Sequence, residues 1–174
     1  MAQPLTVIIM LNYNGAKDTV ECIESLKKID YTNYRILIVD NSSTDDSVAV
    51  FRSKFPELDL YVTEKNLGYT GGINRGFREA SRFNPDYMLV LNNDTLVEPD
   101  FLTQLVDAME KNRDAAGIGG LILAEHDRNT IWFGNGKMIK WRGLAIHIDK
   151  GLPFEQRSVR ELSETDFLTG CMIL

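Results

Sequence analysis

Residues 5–15, LTVIIMLNYNG, decide how the rest of the chain is read. No charge interrupts residues 5–11, after which the chain turns polar at Asn12-Tyr13-Asn14 and breaks at Gly15. An apolar run this short and this continuous suits a parallel strand buried on both faces, not an alternating, half-exposed one. It is too short to span a membrane or to serve as the apolar part of a signal peptide. The preceding Met1-Ala2-Gln3-Pro4 also carries no basic residue. A cytoplasmic location is expected, at the inner face of the membrane where the chain is part of a longer protein.

The same pattern recurs outward from this stretch. Residues 35–40 (RILIVD), 58–63 (LDLYVT) and 87–92 (YMLVLN) read as further strands. Helical spacing lies between them. Residues 16–29 repeat Val20, Ile23, Leu26 and Ile29; residues 44–55 follow Ser43 and Asp46 at capping-box spacing and stop at Pro56. Residues 71–83 carry Ile73, Phe77 and Ala80 on one side. Residues 99–112 open on Glu98, Pro99 and Asp100 and keep Leu102, Leu105, Val106 and Met109 on one face. Strands and helices alternating in this way predict an α/β fold, a mainly parallel sheet flanked by helices.

Beyond residue 113 the pattern changes. Residues 116–123 read as a strand, and residues 130–148 as a hairpin turning at Asn135-Gly136, with Trp132 and Trp141 packing across it. Residues 149–166 are polar and read as loop. Residues 167–174 (FLTGCMIL) read as a last strand, whose open edge would pair with a second copy in a homodimer.

The 174 residues, 44% of them hydrophobic, suit a single domain with one sizeable core. A net charge of −6 argues against nucleic acid as a partner. Cys22 and Cys171 are too few for a disulfide framework or a metal knuckle and are expected to be reduced. His126 and His147 stand apart in sequence from the acidic residues that end the strands.

Parallel sheets bind ligands beyond the carboxyl ends of their strands. Those ends here are Asn12-Tyr13-Asn14, Asp40-Asn41-Ser42-Ser43 and Asn92-Asn93-Asp94. Asp40 and Asp94 each also fit a turn or a cap. The glycine-rich residues 68–76 (GYTGGINRG) match neither the dinucleotide nor the P-loop fingerprint. Either these glycines allow close helix–sheet packing, or Lys65 and the amides near Gly71 lie beside a diphosphate, with Asn74 and Arg75 on the next turn.

The segments VIIMLNYNG, LIVDNSSTDDS, NLGYTGGINRG and LVLNNDTLVEPDFL, in that order, resemble the family 2 inverting glycosyltransferases of the GT-A fold. FLTGCMIL is similar to the strand that precedes the acceptor-side helix in that family, and the whole is similar to bacterial rhamnosyltransferase-type members. The resemblance implies a Rossmann-like nucleotide-diphospho-sugar transferase fold. Its nucleotide-binding half would be residues 1–115, and residues 116–174 would begin the acceptor half. It implies that Asn12, Tyr13, Asn14 and Asn93 line the nucleotide site and that Asp40 accepts a hydrogen bond from the base. Asp94 would hold Mg²⁺ or Mn²⁺, although Asn92 replaces the first acidic residue of the Asp-x-Asp-type motif.

The implied reaction moves a sugar from a UDP- or dTDP-sugar to a glycan or lipid-linked acceptor, with inversion. It needs a base. The family's acidic motif would fall beyond Leu174, and Asp166 is the nearest remaining carboxylate. Two readings follow: part of a longer enzyme, or a module that binds nucleotide sugar without transferring it. A nucleotidyltransferase would need a basic, glycine-rich loop after the first strand, where this chain has Asn12-Tyr13-Asn14-Gly15 and only Lys17 nearby.

Overall fold

A computed structural model describes residues 3–156 and 162–174, so residues 157–161 of the polar stretch lie outside the described residues, as do Met1 and Ala2. Four parallel strands form the body of the sheet: β1 (Thr6–Asn12), β2 (Tyr34–Asp40), β3 (Asp59–Val62) and β4 (Tyr87–Asn92). Their spatial order is β3-β2-β1-β4, so the chain steps outward from β1 in one direction and then returns to its other side. The gap between the tips of β1 and β4 is therefore the topological switch point.

Both faces of the sheet are covered, which explains the continuous apolar runs. Ile8, Met10, Ile36, Ile38 and Leu89 face the core under α1 (Ala16–Leu26), α2 (Ser47–Lys54) and α4 (Phe101–Lys111). The alternate residues Val7, Ile9, Leu37 and Val39 face α3 (Gly68–Ala80). Alternation still operates, but apolar residues occupy both phases of it.

The glycines of α3 set how closely it lies on the sheet. A Cβ at Gly76 would sit 2.5 Å from Ile9 Cγ2, and one at Gly72 would overlap the Leu11 side chain. Close packing thus accounts for these two positions.

Several expectations need correction. α2 begins at Ser47 without a side-chain cap, because Ser43 is engaged by Asp40 instead. The stretch 116–123 is broken at Gly120-Leu121 into β5 (Ile118–Gly119) and β6 (Ile122–Ala124). No hairpin turns at Asn135-Gly136. β7 (Asp127–Phe133) pairs back onto β6, whereas β8 (Gly136–Ile139) pairs forward onto β9 (Leu144–His147). The turn of that second hairpin is the 3₁₀ stretch Lys140–Arg142, and Gly143 closes it in the left-handed region at φ 60°. Gly136 is small for another reason: a Cβ there would meet the Phe167 ring. Trp132 and Trp141 do not pack together; Trp132 meets His147 edge-on at 5.5 Å, and Trp141 is 84% exposed under Arg142.

The last strand is also placed differently. β10 (Met172–Ile173) inserts between β4 and β5, antiparallel to both. It therefore presents no open edge to a second copy, and that argument for a homodimer falls.

Candidate functional site

A cleft of about 310 Å³ opens at the switch point. Tyr13 from the tip of β1, Asn41 after β2, Asn66, Gly68 and Tyr69 around the start of α3, and Asn92 and Asn93 from the tip of β4 line it. Leu11, Ile73 and Leu91 make its apolar floor.

Beneath the cleft runs a chain of hydrogen bonds. Asn93 Nδ2 donates to Thr19 Oγ1 at 2.8 Å, and Thr19 Oγ1 donates to Asn12 Oδ1 at 2.9 Å. Asn12 Nδ2 donates in turn to Asp40 Oδ2 at 2.8 Å and to Ser43 Oγ at 3.0 Å. The Ser43 amide donates to Asp40 Oδ1 at 2.8 Å and its hydroxyl to Oδ2 at 2.7 Å. The tips of β4, β1 and β2 are thereby tied into one network. Buried polar groups that are fully satisfied stiffen the loops that carry them.

Asp40 is 0% exposed within this network, so its carboxylate has no surface to offer a base. Asp40, expected to accept a hydrogen bond from the base, is enclosed by Asn12 and Ser43 in this structure, and its neighbour Asn41 lines the cleft. Asn41 also organises the loop leading into α3. Its Oδ1 accepts from the Leu67 amide at 2.9 Å, and its Nδ2 donates to Asn66 Oδ1 at 3.0 Å and to Gly68 O at 3.2 Å. Asn12 is likewise buried, below the cleft. Asn14, at φ 54°, accepts from the Thr44 amide at 2.7 Å and fastens the β1 tip to the loop after β2.

The glycine-rich segment contributes less than expected. Gly68 and Tyr69 line the cleft, whereas Gly71 packs against Leu67 and Lys65 is exposed outside the lining. Arg75 points elsewhere: its guanidinium pairs with Glu79 at 2.8 Å and lies 4.3 Å over the Tyr61 ring. Asn74 is exposed on the same helix.

Asn92, Asn93 and Asp94 end β4 together. Among the described residues no cluster of three Asp, Glu, His or Cys side chains gathers at any point, so Asp94 belongs to no preformed multi-carboxylate site. Its carboxylate is exposed and accepts no hydrogen bond from the described residues, and its charge reaches Tyr69. Burial chiefly raises the Tyr69 phenol, with smaller contributions from Cys171 and Asp94. One free carboxylate suits a hard divalent cation that takes its remaining ligands from a bound diphosphate and water, so the residues present fit such an ion.

The segment before β10 closes one side. Tyr69 OH donates to Asn92 Oδ1 at 3.3 Å, and a Cβ at Gly170 would overlap both oxygens. Asp166 is spent on structure: its Oδ2 accepts from the Met138 amide at 2.8 Å, and its own amide donates to Gly136 O. Tyr69, Asn66 and Gly170 were missed in the sequence because their roles depend on a neighbour far along the chain. Asn41, adjacent to Asp40, was within reach, since strand alternation puts consecutive residues on opposite sides.

A parallel sheet with a polar cleft at the switch point, one wall of it made by the Asn-Asn-Asp tip of β4, is the arrangement of the GT-A glycosyltransferase fold. Solved structures agree on the fold. The chain superposes on a mannosyltransferase from Pyrobaculum calidifontis in complex with GDP-Man and Mn²⁺ with a TM-score of 0.58, at 20% identity, over 74% of this chain and 38% of the other. It superposes on S. aureus TarS residues 1–349 in complex with UDP-GlcNAc with a TM-score of 0.54, at 23% identity, over 63% of this chain and 32% of the other. The chain belongs to glycosyl transferase family 2, whose family model matches residues 7–174.

Curated relatives include a dolichyl N-acetyl-alpha-D-glucosaminyl phosphate 3-beta-D-2,3-diacetamido-2,3-dideoxy-beta-D-glucuronosyltransferase from Methanococcus voltae, 29% identical over 66% of this chain and 38% of its own length. Chondroitin synthase from Escherichia coli is 28% identical over 65% of this chain and 16% of its own length. The chain thus spans well under half of either relative.

Proposed function

We propose that this chain carries the donor-binding part of a glycosyltransferase that moves a sugar from a UDP- or dTDP-sugar to a glycan or lipid-linked acceptor, with inversion. The observation that carries the reading is the cleft itself. It lies between the β1 and β4 tips, with Tyr13 and Asn41 on one side and Asn92 and Asn93 on the other. Membership of the family supports it, as do the names of the relatives and the nucleotide sugars in the neighbouring structures.

In this reading the exposed ring of Tyr13 lies against the base, and the Asn66–Gly68 loop, held by Asn41, borders the nucleoside. The amides of the first turn of α3 beyond Gly68 face the anionic part of the donor, those of Leu67 and Gly68 being taken by Asn41 and Asn66. Asp94 would hold Mg²⁺ or Mn²⁺ against the diphosphate; the ion offsets negative charge that grows on the leaving nucleotide. The Asn93–Thr19–Asn12–Asp40 network keeps the tips fixed, so little reorganisation is needed on binding.

A second reading, a module that binds nucleotide sugar without transfer, is favoured by one observation. Among the described residues that line the cleft none is a carboxylate, the usual agent for taking an acceptor proton.

Calorimetric titration of UDP and dTDP, with and without Mn²⁺, on the native chain and on Asp94→Ala tests the proposal. Mn²⁺-dependent binding that Asp94→Ala weakens at least about tenfold is expected, the loss of one charged ligand costing on the order of 1.5–3 kcal/mol. Absence of binding by either nucleotide overturns it. Assaying the same protein preparations for sugar release from a UDP- or dTDP-sugar then separates transferase from binding module.

A further inference from the structure

The β8–β9 hairpin has an unpartnered side. Its base is held: Phe167 lies under Gly136 and 5.9 Å from the His147 ring, while Thr165 and Asp166 clamp the outer edge of β8. The register pairs Gly136 with His147, Lys137 with Ile146, Met138 with Ala145 and Ile139 with Leu144. Directly opposed residues share a face. Gly136 and His147 therefore mark the side that faces inward at the hairpin's base, where Met138 and Ala145 nearer the tip are exposed, and Lys137, Ile139, Leu144 and Ile146 mark the other.

That outward face is apolar and open. Leu144 and Ile146 are exposed, and Ile148 continues their line beyond the strand at 51% exposure. Trp141 crowns the turn and is the most exposed large apolar residue of the described chain. Solvated hairpins normally carry polar residues on such a face, and a contiguous apolar patch of this kind marks a contact surface.

Charge identifies the contact. Lys140 and Arg142 flank Trp141, and Lys137 lies on the apolar face. Between residues 136 and 150 four Lys or Arg side chains stand against one carboxylate, Asp149, in a chain whose net charge is −6. A local cationic ring around an exposed tryptophan and aliphatic stripe combines electrostatic attraction with shallow insertion. Long basic side chains can keep their charges at the headgroups while their stems cover apolar surface.

We propose that the tip of this hairpin docks on an anionic lipid surface, with Trp141 in the headgroup layer and Lys140 and Arg142 on lipid phosphates. The proposal is independent of the sugar-transfer reading, since it uses no residue of the cleft. It gives the protein a contact with a bilayer that needs no spanning helix; among the described residues no helix is long and apolar enough to cross a membrane.

Co-sedimentation with vesicles of phosphatidylcholine alone, and of phosphatidylcholine mixed with phosphatidylglycerol, tests it on the full chain. Binding to the mixed vesicles, weakened by salt and weak or absent on the neutral ones, is expected. Lys140→Glu combined with Arg142→Glu should weaken that binding at least about tenfold, each cation near such a surface being worth roughly fivefold. In a Trp132→Phe background, brominated lipid should quench Trp141 fluorescence, which reports insertion even where charge reversal alters the hairpin. Equal binding to both vesicle types, or none, overturns the proposal. So does light scattering that shows a dimer lost on Trp141→Ala without any vesicle binding, which would assign the face to a second copy.

Discussion

Asn12 and Asp40, at equivalent positions in neighbouring parallel strands, are joined side chain to side chain at 2.8 Å beneath the floor of the cleft. Both are buried, and every oxygen of the carboxylate is used. Asp40 therefore acts on the site through the loops it holds.

Asp40→Asn should be costly although it is nearly isosteric. Its amide nitrogen must face either the Ser43 N–H or the Asn12 Nδ2, and both are donors. A loss of about 1–3 kcal/mol is expected from the unsatisfied buried group. Urea unfolding measures it, and an unchanged midpoint would show that the network does not form.

Ser42 sits at φ 64° without a glycine's freedom, and no hydrogen bond from its side chain offsets the strain among the described contacts. Ser42→Gly should raise stability. Relief of about 1–2 kcal/mol is set against about 0.5–1 kcal/mol of unfolded-chain entropy. A thermal melt that rises by a few degrees supports this, and a fall contradicts it.

Gly170→Ala should disturb the cleft wall, because the added methyl falls on the Tyr69 hydroxyl and Asn92 Oδ1. Overpacking of this kind costs about 1–3 kcal/mol. Tyr69→Phe removes one of the two obstructing oxygens, so the double variant should recover part of the loss. Additive effects in a denaturant cycle would rule out the contact.

Burial pushes the Cys22 thiol from its ordinary value of 9.0 up to about 12, with Cys171 and Asp94 adding slightly and a hydrogen bond at Thr95 opposing. The folded protein thus keeps a proton that the unfolded chain releases. This contribution to stability is complete below about pH 9 and is lost as pH rises toward 12. Alkylation of Cys22 at neutral pH should follow global unfolding, whereas Cys22→Ser should show a smaller alkaline decline in melting temperature.

The sheet's centre was legible because β1, β2 and β4 are buried on both faces and their apolar runs are continuous. Helices α1 and α4 were legible from their spacing, to within a few residues at each end. The C-terminal third was not. Asn135-Gly136 has the local chemistry of a tight turn, yet Phe167, some thirty residues later, fixes Gly136 by packing. Met172–Ile173 reads as a strand in isolation, but its direction and neighbours depend on β4 and β5, which no local pattern encodes. At the site, the three rims were legible from strand ends. The assignment of Asp40 to the buried side and Asn41 to the cleft needed the pleat.

The insertion of β10 between β4 and β5 also fixes an order of assembly during synthesis. β1 to β4 with their helices can pair as they emerge from the ribosome, each strand finding a neighbour already made. β5 cannot: its partner in the sheet, Met172–Ile173, is translated more than fifty residues later. Until then residues 118–119 wait at an unfinished border while the intervening hairpins are built. The growing chain is then most vulnerable to mispairing and to proteases, and a chaperone that covers the exposed flank of β4 would have its greatest effect in this interval.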